Sequence, residues 1–212
     1  MVMVEAFRMD LREYRIVFIA VTLVVALLVA SPALQRLLVY PRVEFFTELW
    51  LLGSNHKAED YPFNITRGEN YTVFLGIGNQ LGYCGYYLVE VKFRNQTQEA
   101  PTSFGPIENR TPSNLPSLFN ITAFVADEQT SEFPLTFSFD YGFDSSISEV
   151  EFDNLTLNGS LLNLEGYVAA WNSTRNVFFG NLFLELWLYN STTSLFGYHG
   201  RFVDLKLNMT SN

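Results

Sequence analysis

The chain is poor in the residues from which catalytic and metal centres are usually built. Of its 212 residues only one, Cys84, is cysteine, so no disulfide can form within the chain. Cys84 lies in the turn-like stretch Gly82-Tyr83-Cys84-Gly85 and reads as a small, partly buried residue. There are two histidines, His56 and His199, which with a lone cysteine fall short of a zinc ligand set. Cys84, His199 and Asp204 are the one nucleophile, base and acid combination that can be written, and no local sequence supports it. Asp140, Asp144, Glu149, Glu151 and Asp153 form an acidic stretch without EF-hand spacing, read as a solvated loop. No glycine-rich phosphate loop, internal repeat or motif for two-carboxylate glycosidase chemistry is present. The expectation is a chain that is not an enzyme and that uses no cofactor and no metal.

Basic residues are also scarce. Lys and Arg number 13 against 22 Asp and Glu, for a formal charge of −9. Residues 1–41 hold Arg8, Arg12, Arg15 and Arg36 against Glu5, Asp10 and Glu13, a net of +1, which leaves −10 for the rest. So acidic a surface repels phosphate backbones, and nucleic acid is excluded as a partner.

What the sequence does have, in excess, is Asn-X-Ser/Thr. Ten sequons begin at Asn64, Asn70, Asn95, Asn109, Asn120, Asn154, Asn158, Asn172, Asn190 and Asn208. The chain's 17 Asn and 30 Ser or Thr would give about two or three by chance, so most read as glycan acceptors. All follow one apolar segment. Ile16 to Ala30 is unbroken apart from Thr22, and with Ser31 to Leu34 it reaches the length of a minimal membrane span. Arg8, Arg12 and Arg15 before it place the N-terminus in the cytoplasm, and the sequons place the remainder outside. A cleaved signal peptide ending near Ser31-Pro32-Ala33 is the competing reading. Pro32 and the continued apolar character of Leu37, Leu38 and Val39 favour an uncleaved signal-anchor. The expected organisation is a cytoplasmic tail over 1–15, a transmembrane helix over 16–34 and an extracellular, glycosylated domain over 42–210.

The exterior part alternates with period two. Val73, Leu75 and Ile77 share one face of 71–79. Tyr87, Val89, Val91 and Phe93 oppose Glu90, Lys92 and Arg94. Phe133, Leu135, Phe137 and Phe139 alternate with polar residues, as do Val203, Leu205, Leu207 and Met209. Asn208 falls on the polar face of its strand, where a sugar can be carried. Further strands are expected at 43–52, 118–125, 148–157, 165–171 and 178–189. About nine short strands predict an all-β fold, an antiparallel immunoglobulin-like β-sandwich preceded by one transmembrane helix. Residues 95–117, with four prolines and two sequons, read as a long exposed loop.

Phe46-Thr47-Glu48-Leu49-Trp50-Leu51-Leu52-Gly53, then Lys57-Ala58-Glu59-Asp60-Tyr61-Pro62, Gly68-Glu69, Tyr71-Thr72-Val73 and Gly76-Ile77-Gly78-Asn79 follow one another in a specific order. This order resembles an archaeal membrane-protein family known as a domain of unknown function, number sixteen-sixteen. Phe183 to Tyr189 followed by Tyr198-His199-Gly200-Arg201-Phe202 is similar to that family's closing hairpin, and residues 140–175 look like an insertion relative to shorter members. The resemblance implies an archaeal surface location and an immunoglobulin-like exterior domain. It brings no activity or catalytic residues.

Two segments are candidates for contact. On the strand 178–189, Leu182, Leu184, Leu186 and Leu188 face the core, while Phe183, Glu185, Trp187 and Tyr189 offer aromatic rings beside a carboxylate, suited to stacking on sugar or protein unless another element covers them. The polar loop His56 to Pro62 is the second, with a structural role in pinning the sheet edge as the simpler reading. The expected function is a non-enzymatic, membrane-anchored component of the cell envelope that contacts surface-layer or other envelope proteins. A carbohydrate- or ligand-binding module using Phe183, Trp187 and Tyr189 is the alternative, and an envelope hydrolase the least favoured.

Overall fold

The computed structural model describes residues 11–37, 44–102, 104–144 and 146–210. Most of the expected N-terminal tail, Val43 of the expected strand at 43–52, and Arg42 and Val43 of the expected domain at 42–210 lie outside these residues. The chain divides into two compact units, 1–44 and 45–212.

The first unit holds one helix, α1 (Leu11–Leu37), of 27 residues. Its 18-residue stretch Tyr14–Ser31 has a mean hydropathy of 2.3, long and apolar enough to cross a membrane by length and composition. No residue of that stretch is buried among the described residues.

The second unit is built of β1 (Phe46–Leu52), β2 (Asn64–Thr66), β3 (Tyr71–Gln80), β4 (Gly85–Arg94), β5 (Phe119–Val125), β6 (Gln129–Asp144), β7 (Glu149–Leu157), β8 (Ser160–Asn172), β9 (Val177–Asn190) and β10 (Leu195–Thr210). One run of neighbours is β1-β3-β6-β7-β8 and the other is β5-β4-β9-β10-β2. Two residue pairs, Trp171 with Phe178 and Asn172 with Val177, join the runs into a single sheet curled into a half-barrel. The period-two residues named above explain this curl. Val73, Leu75, Ile77, Leu135, Phe137 and Phe139 line one inner wall, and Tyr87, Val89, Val91, Phe93, Leu182, Leu184, Leu186, Leu205 and Leu207 line the other. Phe93 closes the interior, with its ring 5.2 Å from that of Phe139 and 4.9 Å from that of Phe152. Each such side chain, fully buried, contributes about 1.5–3 kcal/mol, and with no disulfide available this core carries the stability.

Two features depart from the sequence expectation. The sheet is not wholly antiparallel, because β2 lies parallel to the end of β10, Ile65 beside Met209. Three residues are too few to show a period, and β2 is fixed instead by the buried Ile65 and by Tyr141, whose hydroxyl lies 2.6 Å from the Ile65 carbonyl oxygen and 2.9 Å from that of Thr210. The second is the acidic stretch expected as a solvated loop: residues 140–144, 149–157 and 160–172 are the end of β6, β7 and β8, and contribute Tyr141, Val150, Phe152, Leu155, Leu157, Leu164 and Ala169 to the core. The acidic residues among them therefore stand on paired strands rather than in a loop, and Asp140 is held by Arg67 at 2.6 Å.

A covered half and an open half of one sheet face

The outer face of the β5-β4-β9-β10 run is where the sequence places Phe183, Glu185, Trp187 and Tyr189. The structure divides these four. Glu185 stands beside Glu90 of β4. Lys92 reaches between them, 2.8 Å from a Glu185 carboxylate oxygen and 3.1 Å from one of Glu90. The segment 95–117 returns across this place. The Ser113 amide donates to Glu185 at 2.6 Å, and Lys92 donates to the Ser113 carbonyl at 3.0 Å. Side-chain exposure of Lys92 is 4% and of Glu185 0%, and Phe183 is buried with them. Burial pushes the Glu185 carboxyl up from the ordinary range, and the bonds from Lys92 and Ser113 oppose that rise. The carboxylate and its aromatic neighbour are thus interior groups. Strand parity correctly turns them away from the core, but Ser113 of the long loop lies on the carboxylate, and Phe183 is buried as well.

The loop is anchored at several points. Thr102 and Thr111 pair through their hydroxyls at 2.6 Å. Arg110 donates to the Gly105 carbonyl at 3.1 Å and to the Gly200 carbonyl on β10 at 3.0 Å. Ile107, in a single 3-10 turn over Ile107–Asn109, sits on Gly200, where an added Cβ would lie 2.6 Å from its Cγ2. Gly200 also has φ of +66° and lies within the irregularity in register between Tyr198 and Arg201. Both the close approach and the backbone conformation call for glycine.

Beyond the loop the same face is open. Trp187 is half-buried, its ring 5.6 Å from that of Tyr198 and 5.9 Å from the Lys92 ammonium. Its Nε1 and the Tyr198 hydroxyl are enclosed without a hydrogen-bond partner among the described residues. Burial, with the Glu185 charge, pushes the Tyr198 phenol up to about 12, against an opposing effect of Arg110. One row further along, four rings stand in line across four strands. Phe124 of β5 stacks on Tyr86 of β4 at 4.2 Å and 8°. Tyr86 meets Tyr189 of β9 at 5.7 Å and Phe196 of β10 at 5.1 Å, and Tyr189 meets Phe196 at 5.4 Å. Phe124 is 72% exposed. A hollow of about 410 Å³ adjoins the row, with Tyr83, Tyr189, Asn190, Tyr198 and His199 in its wall. Sequence reasoning found only Tyr189 of this row. Phe124, Tyr86 and Phe196 come from three other strands, and their alignment depends on register.

The loop containing His56 is pinned, as its simpler reading held. The His56 ring stacks on Phe74 at 3.7 Å and its Nδ1 pairs with Glu132, while the Tyr61 hydroxyl donates to the Leu51 carbonyl at 2.7 Å. No hydrogen bond joins Cys84, His199 and Asp204 among the described residues. Cys84 is exposed rather than partly buried, because its turn projects from the sheet between β3 and β4. His199 bonds to Thr47 at 2.9 Å, and Asp204 accepts from Asn181 at 2.7 Å. Burial, then the nearby Arg201, lowers the His199 pKa. Among the described residues no group of three or more His, Cys, Asp or Glu is placed to hold a metal ion.

The ordered residues behind the family resemblance form a brace. Trp50 lies flat on Gly76, where an added Cβ would fall 2.0 Å from its ring. Asn79 is fully buried, donating to the Tyr83 and Val125 carbonyls at 2.7 and 2.8 Å and accepting from the Tyr87 hydroxyl at 3.0 Å. That motif therefore records how β1, β3 and β4 fit together.

Comparison with solved structures gives a β-glucosidase from Listeria innocua in complex with isofagomine, at 10% identity and a TM-score of 0.36, with 80% of this chain and 17% of that one covered. The same enzyme in complex with glucose gives 9% identity and a TM-score of 0.35, with 81% and 17% covered. The chain therefore spans about a sixth of the length of these proteins, at a similarity too low to support a shared architecture. Comparison with curated proteins finds no match. The family match runs over 41–145, which takes in the brace, the covering loop and β1 to β6 but stops short of the hairpin of β9 and β10. Over residues 41–145 the chain belongs to the family described as a domain of unknown function, DUF1616.

Proposed function

We propose that this protein is a membrane-anchored, non-enzymatic recognition module of the archaeal cell envelope, and that its exterior domain binds carbohydrate on the row Phe124, Tyr86, Tyr189 and Phe196. The row itself is the observation that carries this reading. Four contiguous rings on a sheet face form an apolar shelf, and two carry hydroxyls at their edges. Sugar rings offer the matching surface, with C–H groups for the aromatic faces and hydroxyls for the polar edges. The adjoining hollow has Tyr83 in its wall and adds a further phenol beside Tyr189. The apolar α1 supports a single-pass anchor, and the sequons support a glycosylated exterior domain. The two facing strand runs with Phe93 between them support kinship with immunoglobulin-like sandwiches. Hydrolysis is disfavoured at the cross-strand carboxylates, because Glu90 and Glu185 are both engaged by Lys92 beside the covering loop.

A contact role toward other envelope proteins has its own support in β5. Among the described residues one of its two edges is paired, with β4, and the other is able to accept a partner strand. The readings separate in one experiment. The detergent-solubilised protein is applied to immobilised glycans released from its own cell envelope, alongside Tyr86→Ala and Phe124→Ala variants. Retention of the parent with at least about tenfold weaker binding by the variants, some 1.4 kcal/mol, is the expected result. Absence of glycan retention, together with capture of envelope proteins through β5, would replace this reading by the scaffold one.

A further inference from the structure

The ten sequons are alike in sequence but their acceptor amides are not alike in the fold. We infer that Asn95, Asn158 and Asn208 stay unglycosylated because their side-chain amides clasp strands together, and that Asn64, Asn70, Asn109, Asn120, Asn154, Asn172 and Asn190 are the modification sites. This rests on the exterior location proposed above. Glycosyl transfer forms a bond from Asn Nδ2 to the anomeric carbon of a sugar phosphate donor. The anomeric C–O bond breaks, phosphate leaves with the electron pair, the amide gives up one proton, and no redox change occurs. Nδ2 must therefore be free to approach the donor.

At three sites it is not. Asn95 donates through Nδ2 to the Val168 carbonyl at 2.6 Å, while its Oδ1 accepts from the Thr97 amide at 3.0 Å and hydroxyl at 2.8 Å. Asn158 donates to the Pro134 carbonyl at 3.2 Å and accepts from the Thr136 amide at 2.8 Å. Asn208 donates to the Asn64 Oδ1 at 2.9 Å and accepts from the Phe178 amide at 3.1 Å. In each case a backbone N–H fixes which end is oxygen, so the nitrogen assignment is forced. Each side chain joins elements that would otherwise be tied less closely: the end of β4 to β8, the β7–β8 turn to β6, and β10 to the start of β9.

Asn158 also has a second explanation for its sequon. Asn158 and Gly159 have φ of +46° and +81° and form the two-residue turn between β7 and β8, the pairing that hairpin geometry selects. The triplet follows from turn chemistry alone. Asn208 corrects the argument from parity, since it does lie on the polar face of β10 but is half-buried and spent on its neighbours. By contrast the Nδ2 atoms of the other seven make no hydrogen bond among the described residues. Asn190 uses only Oδ1, accepting from the Thr192 amide at 2.9 Å, and the exposed Asn120 meets only the Ser117 hydroxyl, at 2.7 Å. Asn190 directly follows Tyr189 of the aromatic row, so a sugar there borders the surface a ligand meets, whereas Asn120 lies opposite Glu90, four residues along β5 from Phe124.

Glycopeptide mass spectrometry on the protein purified from its own membranes tests the division. Occupancy at the seven open sites is expected to exceed that at Asn95, Asn158 and Asn208 at least tenfold. Asn120→Gln and Asn190→Gln each remove one glycan mass from the intact protein, and Asn208→Gln removes none. Comparable occupancy at any of the three clasped sites, or a division that ignores the state of the amide, overturns the inference. No glycan at any of the ten overturns the exterior location itself.

Discussion

Two halves of one sheet face, alike in strand geometry, have opposite fates. Around Glu185 the face is charged, and the loop over 95–117 seals it through Ser113 and Arg110. Around Tyr86 it is aromatic and no loop among the described residues seals it, with Phe124 largely exposed and Tyr86, Tyr189 and Phe196 half-buried against one another. An apolar row left open while a carboxylate is buried reverses the usual preference of these side chains. A loop placed to hide apolar surface would have lain over the rings. This one caps a Lys–Glu pair with the Ser113 backbone instead and leaves the rings free, which is the physical reason for assigning the recognition surface to the open half.

The largest effect should come from the closed half. Lys92→Met leaves Glu185 buried without its counter-charge, and the domain should lose about 3–5 kcal/mol in denaturant unfolding. Lys92→Met combined with Glu185→Leu should recover most of that loss. If the single variant is as stable as the parent, the loop does not seal the pair in solution. Next comes the seal itself. Gly200→Ala meets Ile107 and a positive φ, and should cost about 2 kcal/mol. Hydrogen exchange across 105–113 should accelerate while the Tyr86 row keeps its parent behaviour. On the open half, Tyr86→Ala and Phe124→Ala should each lower stability by about 1 kcal/mol or less, in the range of a lost ring pair, while removing carbohydrate binding. The smallest effect is the pH response of His199. Its folded pKa lies below the ordinary value of 6.5, so the unfolded chain binds the proton more readily. Stability from this group is present above pH 6.5 and is lost as pH falls through the depressed folded value. Thermal melting followed across that window should show the decline, and His199→Gln should flatten it.

Much of the fold was legible because alternation reports burial on one face directly. The strands β3, β4, β6 and β10 each place their period-two apolar residues in the core, as Tyr87, Val89, Val91 and Phe93 show. β2 escaped because three residues carry no period, and its position depends on Tyr141, far along the chain. The candidate site was legible only by half. Parity turned Phe183, Glu185, Trp187 and Tyr189 outward correctly, but outward is not exposed, and nothing local to 178–189 announces that residue 113 lies over Glu185. The aromatic row was hidden for a related reason. Its members are one or two per strand, and only the register of four strands brings Phe124, Tyr86, Tyr189 and Phe196 into line. The residues of the family resemblance were easiest to notice and are structural, since Trp50 over Gly76 and the buried Asn79 hold three strands together.

The division of the face is tested most directly by paired substitutions read on the same immobilised envelope glycans. Tyr86→Ala, on the open half, should lower glycan retention at least about tenfold, some 1.4 kcal/mol, with the fold intact by circular dichroism. Lys92→Met with Glu185→Leu, on the closed half, should leave retention at the parent level. Equal retention by parent and Tyr86→Ala, or loss confined to the closed-half variant, would contradict the assignment.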